Sequence, residues 1–171
     1  MRNRFLIALA AGLLGAITMF GFVQATPGNG VTSTLFAVGR FDDIDAKTLT
    51  DIDPDPANTD YWQARIKTKG SSDLYILENQ IAPGGTGGWL SHPGPSLVVV
   101  KSGALTVYRA DDPTCTGQVV EAGHGFVDNG GDTHVVRNEG TVLTVFYVSS
   151  LVPAGFDRRI DEPKPANCTI Q

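Results

Sequence analysis

Beyond residue 25 the chain does not sustain a long helix-period apolar pattern. It breaks instead into short β-branched and aromatic runs, parted by glycine- and proline-bearing turns. "STLFAVGRF" (Ser33–Phe41), "YWQARIKTK" (Tyr61–Lys69) and "DLYILENQIAP" (Asp73–Pro83) read as strands. "SLVVVKSGALTVYRA" reads as two strands joined in a hairpin at Lys101-Ser102-Gly103. Three or four more strands follow, with turns at Gly123–Gly125, Asn129–Gly131 and Glu139-Gly140. That density, about ten short strands in about 120 residues, predicts an all-β sandwich or small barrel. The 20 glycines and 10 prolines supply the turns.

The N-terminus has a different character. Met1-Arg-Asn-Arg4 is basic, Phe5 to Val23 is apolar apart from Thr18 and small residues, and Ala25 precedes Thr26-Pro27-Gly28. This is the pattern of a secretory signal peptide over residues 1–25, cut near Ala25; an uncleaved anchor is the alternative. After cleavage no stable membrane span is expected. Cleavage removes Arg2 and Arg4 and no acid, which moves the formal charge from −5 to −7. So acidic a domain is a poor partner for nucleic acid. Export also takes Cys115 and Cys168 out of a reducing compartment, so a single disulfide is expected. It would tether the tail, residues 156–171, to the loop around Cys115 and close a loop of about 50 residues. The expected organisation is a leader with first strands over 26–60, then a barrel over 61–155, then the tail.

Two patterns carry no function. Asp51, Asp53 and Asp55 alternate like calcium-loop acids, but Pro54, Pro56 and the lack of a distal glutamate spoil the loop. "GGTGGWLSH" lacks the Gly-Lys-Ser/Thr ending of a phosphate loop.

The histidines fall in a spacing that does carry chemistry. Gly84 stands five residues before Leu90-x-His92; three residues on comes Ser96, and six further on Gly103. Then Gly123, five residues, Asn129-x-Gly131, two residues, His134, three residues, Asn138. This double pattern, over Leu74 to Val152, resembles the two motifs of the cupin family. The resemblance implies a cupin-type double-stranded β-helix, a jelly-roll barrel. It also implies one divalent metal (Mn, Fe, Ni, Cu or Zn) held by two histidines and a glutamate of the first motif and one histidine of the second. Here His92 and His134 occupy two of the four ligand positions; Leu90 and Ser96 stand where the others would be, and Asn129 replaces the motif proline.

A small pocket lined by Trp89, Leu90, Ser96, Val98 and Asn138 is expected, with His92 and His134 facing it; Trp89 also reads as a rim or core aromatic, and Asn138 as satisfying backbone groups in a turn. Two alternatives stand: a metal-free small-molecule pocket, or a weak or rewired metal site with a further ligand from His124, Asp128 or Asp132. Two functional classes follow, a binding protein without turnover and a metal-dependent enzyme of the dioxygenase, isomerase or decarboxylase kind. The family resemblance also implies a homodimer.

Overall fold

The computed structural model describes residues 25–51 and 61–170. The segment read as a signal peptide, Ala25 apart, and the loop acids Asp53 and Asp55 lie outside the described residues. Among those residues there is no helix and none long and apolar enough to cross a membrane.

The strands are β1 (Asn29–Phe41), β2 (Asp45–Asp51), β3 (Tyr61–Lys67), β4 (Ser72–Thr86), β5 (Leu90–Ser91) and β6 (Ser96–Ser102). They continue with β7 (Ala104–Arg109), β8 (Gln118–Glu121), β9 (Gly125–Asp128), β10 (His134–Arg137), β11 (Thr144–Pro153) and β12 (Ile160–Asp161). One wall of the barrel runs β1-β4-β11-β6-β9, and the other runs β12-β5-β10-β7-β8. The two are stitched where the end of β4 meets β10, at Thr86 and Arg137. Every pairing is antiparallel. The fold is therefore the all-β double-stranded β-helix barrel expected.

Alternation builds its interior. Along β11, Phe146, Val148, Ser150 and Val152 are buried while Val145, Tyr147, Ser149 and Leu151 are half-buried, and β6 buries Ser96, Val98 and Val100 while exposing Leu97 and Val99. These inward residues meet Leu77 and Ile81 of β4, Leu105 and Val107 of β7 and Val120 of β8 in one core. β7 buries both its faces, because the C-terminal tail covers the outside of that wall. There Trp89, Tyr108, Val135 and Cys168 form a second core, and the Trp89 indole N–H donates to the Ile170 carbonyl (3.1 Å). The bond between Cys115 and Cys168 is present and anchors this tail.

Two expectations are corrected. β6 and β7 are not a hairpin: β6 pairs with β11 and β9, and β7 with β10 and β8, so the chain crosses between walls at Gly103. Apolar residues on both strands must reach one interior from opposite sides, which a shared sheet would prevent. Gly103 (φ 75°) permits the crossing, since a Cβ there would stand 2.6 Å from the Thr144 hydroxyl. The boundary at residue 61 does not follow the sheets either. β1 pairs along β4 and belongs to the barrel, whereas β3 pairs with β2 in a separate two-stranded sheet.

Candidate metal centre

His92 follows β5, His134 opens β10 and Asp128 ends β9. Register brings them together. His134 pairs opposite Leu90, and Asp128 pairs opposite Ser96. The alternation of β9 sends Phe126 and Asp128 to the inner side, where both line a cavity of about 110 Å³. His92, Asp128 and His134 each offer a donor atom, and the donor atoms lie within 4.8 Å of one another. Asp128 Oδ2 stands 3.6 Å from His92 Nε2, and Oδ1 stands 3.6 Å from the His134 ring at Nδ1. The imidazole centroids are 5.5 Å apart.

The strand pairing is that of a double-stranded β-helix barrel.

In this barrel the positions of the first motif have other roles than the resemblance implies. Ser96, at the glutamate position, is buried and hydrogen bonds the Ser150 hydroxyl on β11 (2.7 Å). The carboxylate stands directly across the ladder instead, on Asp128. Asp128 is 1% exposed, and neither of its oxygens has a hydrogen-bond partner among the described residues. A buried carboxylate with no donor is costly unless a cation meets it. Donors about 2.0–2.2 Å from one ion stand about 3–4 Å apart, which the spacing of His92 Nε2 and Asp128 Oδ2 meets. The residues fit a metal.

Both imidazoles are held for that role. His92 Nδ1–H donates to the Arg158 carbonyl (2.6 Å), which leaves Nε2 as the lone pair facing Asp128. His134 Nδ1–H donates to the Asp132 carbonyl (3.1 Å), which leaves Nε2 as the ring's lone pair. Burial lowers the His92 pKa from 6.5 to about 4, so the ring is neutral at neutral pH. In the metal-free chain this makes stability pH-dependent. Between pH 6.5 and 4 the unfolded chain holds a proton that folded His92 does not. The contribution is complete above pH 6.5, declines as pH falls and is gone below about 4. The gap corresponds to about 3 kcal/mol. Chemical denaturation of metal-free protein at pH 7.5, 5.5 and 4 measures it, and His92→Gln flattens the profile.

The other predicted residues are placed as follows. Leu90 and Val98 line the cavity beside Ser96. His124 is exposed at a turn, apart from the cluster, and Asp132 contributes its carbonyl rather than its carboxylate. Trp89 is not a pocket residue: it is fully buried in the second core, because its strand end turns that face toward the tail. Asn138 does not line the cavity and takes the turn role that its residue type suggests. Its amide donates to the Ile81 and Val142 carbonyls (2.8 and 2.7 Å) and its oxygen accepts from Gly140 N–H (3.0 Å), clamping the turn after β10. Asn138→Ala strands these buried groups, and an increase in unfolding free-energy loss of about 3 kcal/mol is expected in urea titration. Sequence spacing missed Arg158 and Arg159, which line the cavity from the tail, outside both motifs.

No protein-family model matches the chain, and no curated protein matches it in sequence. Among solved structures it is similar to an oxalate oxidase in complex with glycolate, at 29% identity over 45% of this chain and 41% of that one, with a TM-score of 0.41. It is similar to a cupin superfamily protein from Desulfitobacterium hafniense, at 14% identity over 46% and 67% of the two chains, TM-score 0.41. An uncharacterised double-stranded β-helix protein from Klebsiella pneumoniae matches at 18% identity over 72% and 86%, TM-score 0.43. The chain thus spans about two fifths of the oxalate oxidase. With TM-scores this low, the fold rests on the strand pairing described above and the site on its own geometry.

Proposed function

We propose that this protein is an exported cupin that binds a divalent transition metal through His92, Asp128 and His134 and presents it to a small molecule in the barrel cavity. The observation that carries the reading is the buried carboxylate of Asp128, without a hydrogen-bond donor, between two imidazoles. Two histidines and one carboxylate with coordination positions left over are a set that suits Fe(II) or Mn(II). A metal bound there supplies Lewis-acid polarisation of a small oxygen ligand. The chain's own part is to keep His92 neutral, fix its tautomer through the Arg158 carbonyl and surround the ligand with Leu90, Val98, Phe126 and Phe146. Loss of two motif ligands weakens the site relative to a four-ligand one. The same three-ligand set, with its open positions, also supports the second reading, a metal-dependent enzyme.

The apolar leader and the paired cysteines support an extracytoplasmic location. Leu97, Val99 and Val127, exposed on adjacent strands of one outer face, support a homodimer; sedimentation over a concentration range tests it.

Elemental analysis of purified protein after incubation with Mn, Fe, Ni, Cu or Zn tests the metal reading. One bound ion per chain is expected, lost in His92→Ala and His134→Ala. No metal in the parent chain sinks the proposal, and metal retained by both variants moves the site elsewhere.

A further inference from the structure

Asn129 stands where the second motif of the resemblance has a proline, and it is followed by Gly130 and Gly131. The three form the turn that leaves Asp128, the end of β9, on the way to His134, the start of β10. The Asn129 side chain is exposed and makes no hydrogen bond among the described residues. The Gly130 N–H has no acceptor among them either.

An asparagine amide in front of a glycine is chemically labile, because no Cβ on the glycine shields the next backbone nitrogen. That nitrogen attacks the asparagine Cγ and gives its proton to water. The bond from Cγ to the side-chain nitrogen breaks, ammonia leaves and a five-membered succinimide ring remains. Water then opens the ring at either carbonyl. One opening gives aspartate. The other gives isoaspartate, in which the main chain runs through Cβ and Cγ and is one carbon longer. Water is the only co-reactant.

The seat of this turn makes the longer chain consequential. Gly130 (φ 73°) packs on Gly94, where a Cβ would stand 2.6 Å from the Gly94 carbonyl carbon. Gly94 belongs to the His92-Pro93-Gly94-Pro95 turn. Gly131 N–H donates to the His92 carbonyl (2.7 Å), and Asp128 is held in the ladder opposite Ser96. The turn is thus fixed to Asp128 at one end and to the His92 backbone at the other. An extra main-chain carbon between these ties displaces one of them, whereas an aspartate only adds an exposed charge. The chain's other Asn-Gly step, Asn29-Gly30, opens β1 opposite Thr86, and its place in that ladder resists the rotation the attack requires.

We propose that Asn129-Gly130 is a site of spontaneous deamidation and that its isoaspartate product weakens the metal centre. The second half rests on the metal reading above; the first does not.

The test ages the disulfide-bonded protein in warm neutral buffer made with heavy-oxygen water. Peptide mapping by mass spectrometry locates the incorporated oxygen, an isoaspartyl methyltransferase assay counts isoaspartate, and Mn²⁺ titration compares fresh with aged protein. Labelling at Asn129 ahead of Asn29 is expected, with Mn²⁺ affinity of the converted protein down about 10-fold, as when a group orienting a ligand is displaced. Asn129→Gln keeps an amide but must close a larger, slower ring, so it is expected to stay unlabelled and keep its affinity. Fresh Asn129→Asp carries the charge on a normal main chain and is expected to bind like the parent, since an exposed charge is screened. Asn129 intact after ageing, or converted more slowly than Asn29, overturns the modification site. Converted protein that binds Mn²⁺ like fresh protein, or Asn129→Gln that loses affinity equally on ageing, overturns the coupling. Fresh Asn129→Asp as weak as the aged parent overturns isoaspartate as the cause. A fresh parent that does not bind Mn²⁺ sinks the metal reading and the coupling together, and the peptide map still decides the modification site.

Discussion

Asp128→Asn lowers metal affinity about 100-fold or more and, in the opposite direction, stabilises the metal-free chain. Both effects come from one observation, a carboxylate 1% exposed with no donor on either oxygen. A +2 ion and a carboxylate about 4 Å apart attract by about 8 kcal/mol at an effective dielectric of about 20. A third of that surviving desolvation gives the hundredfold loss. Without metal the same charge is an uncompensated burden, and a neutral amide of equal shape removes it; a gain of about 1–3 kcal/mol is expected. Metal titration and thermal unfolding of the two metal-free proteins measure the pair. Unchanged metal affinity would remove Asp128 from the ligand set. A destabilised metal-free variant would mean that the carboxylate has a partner in the folded chain.

Replacing both cysteines, Cys115→Ser with Cys168→Ser, is expected to cost about 4 kcal/mol. The bond spans a separation of 53 residues, and the chain-entropy model gives that figure for a loop of this length. The consequence reaches the site, because the tethered tail covers Trp89, pairs β12 with β5 and supplies the Arg158 carbonyl to His92. Metal affinity therefore falls together with stability, by about 10–100-fold, as when a partner orienting a ligand is lost. Urea unfolding and metal titration of the double variant, beside the reduced parent, read both. Loss of stability with metal affinity intact would show that the tail does not orient His92.

Much of the strand content was legible because period-two alternation is local. The valines of 96–100 and the run from Thr144 to Pro153 declare their inner faces residue by residue. Pairing was less legible. Lys101-Ser102-Gly103 carries hairpin chemistry, yet Gly103 serves a crossing between walls, and a glycine with positive φ suits either. The motif spacing likewise placed His92 and His134 in one register, but it could not choose among His124, Asp128 and Asp132, which lie within nine residues of one another.

By itself, the sequence determined the all-β class, the motif register of His92 and His134, the pairing of the only two cysteines and the serine at position 96, where the motif it resembles carries a carboxylate. Only the tertiary structure decided that the carboxylate returns on Asp128, across the β6–β9 ladder from Ser96. It also decided that Trp89 and Asn138 serve packing and a turn and do not line the pocket, a choice the sequence left open, and that a tail far from both motifs brings Arg158 to the cavity. The physical reason is that alternation and turn chemistry act between neighbours in the chain, whereas cross-strand register and the tail's docking are set by which distant surfaces bury one another.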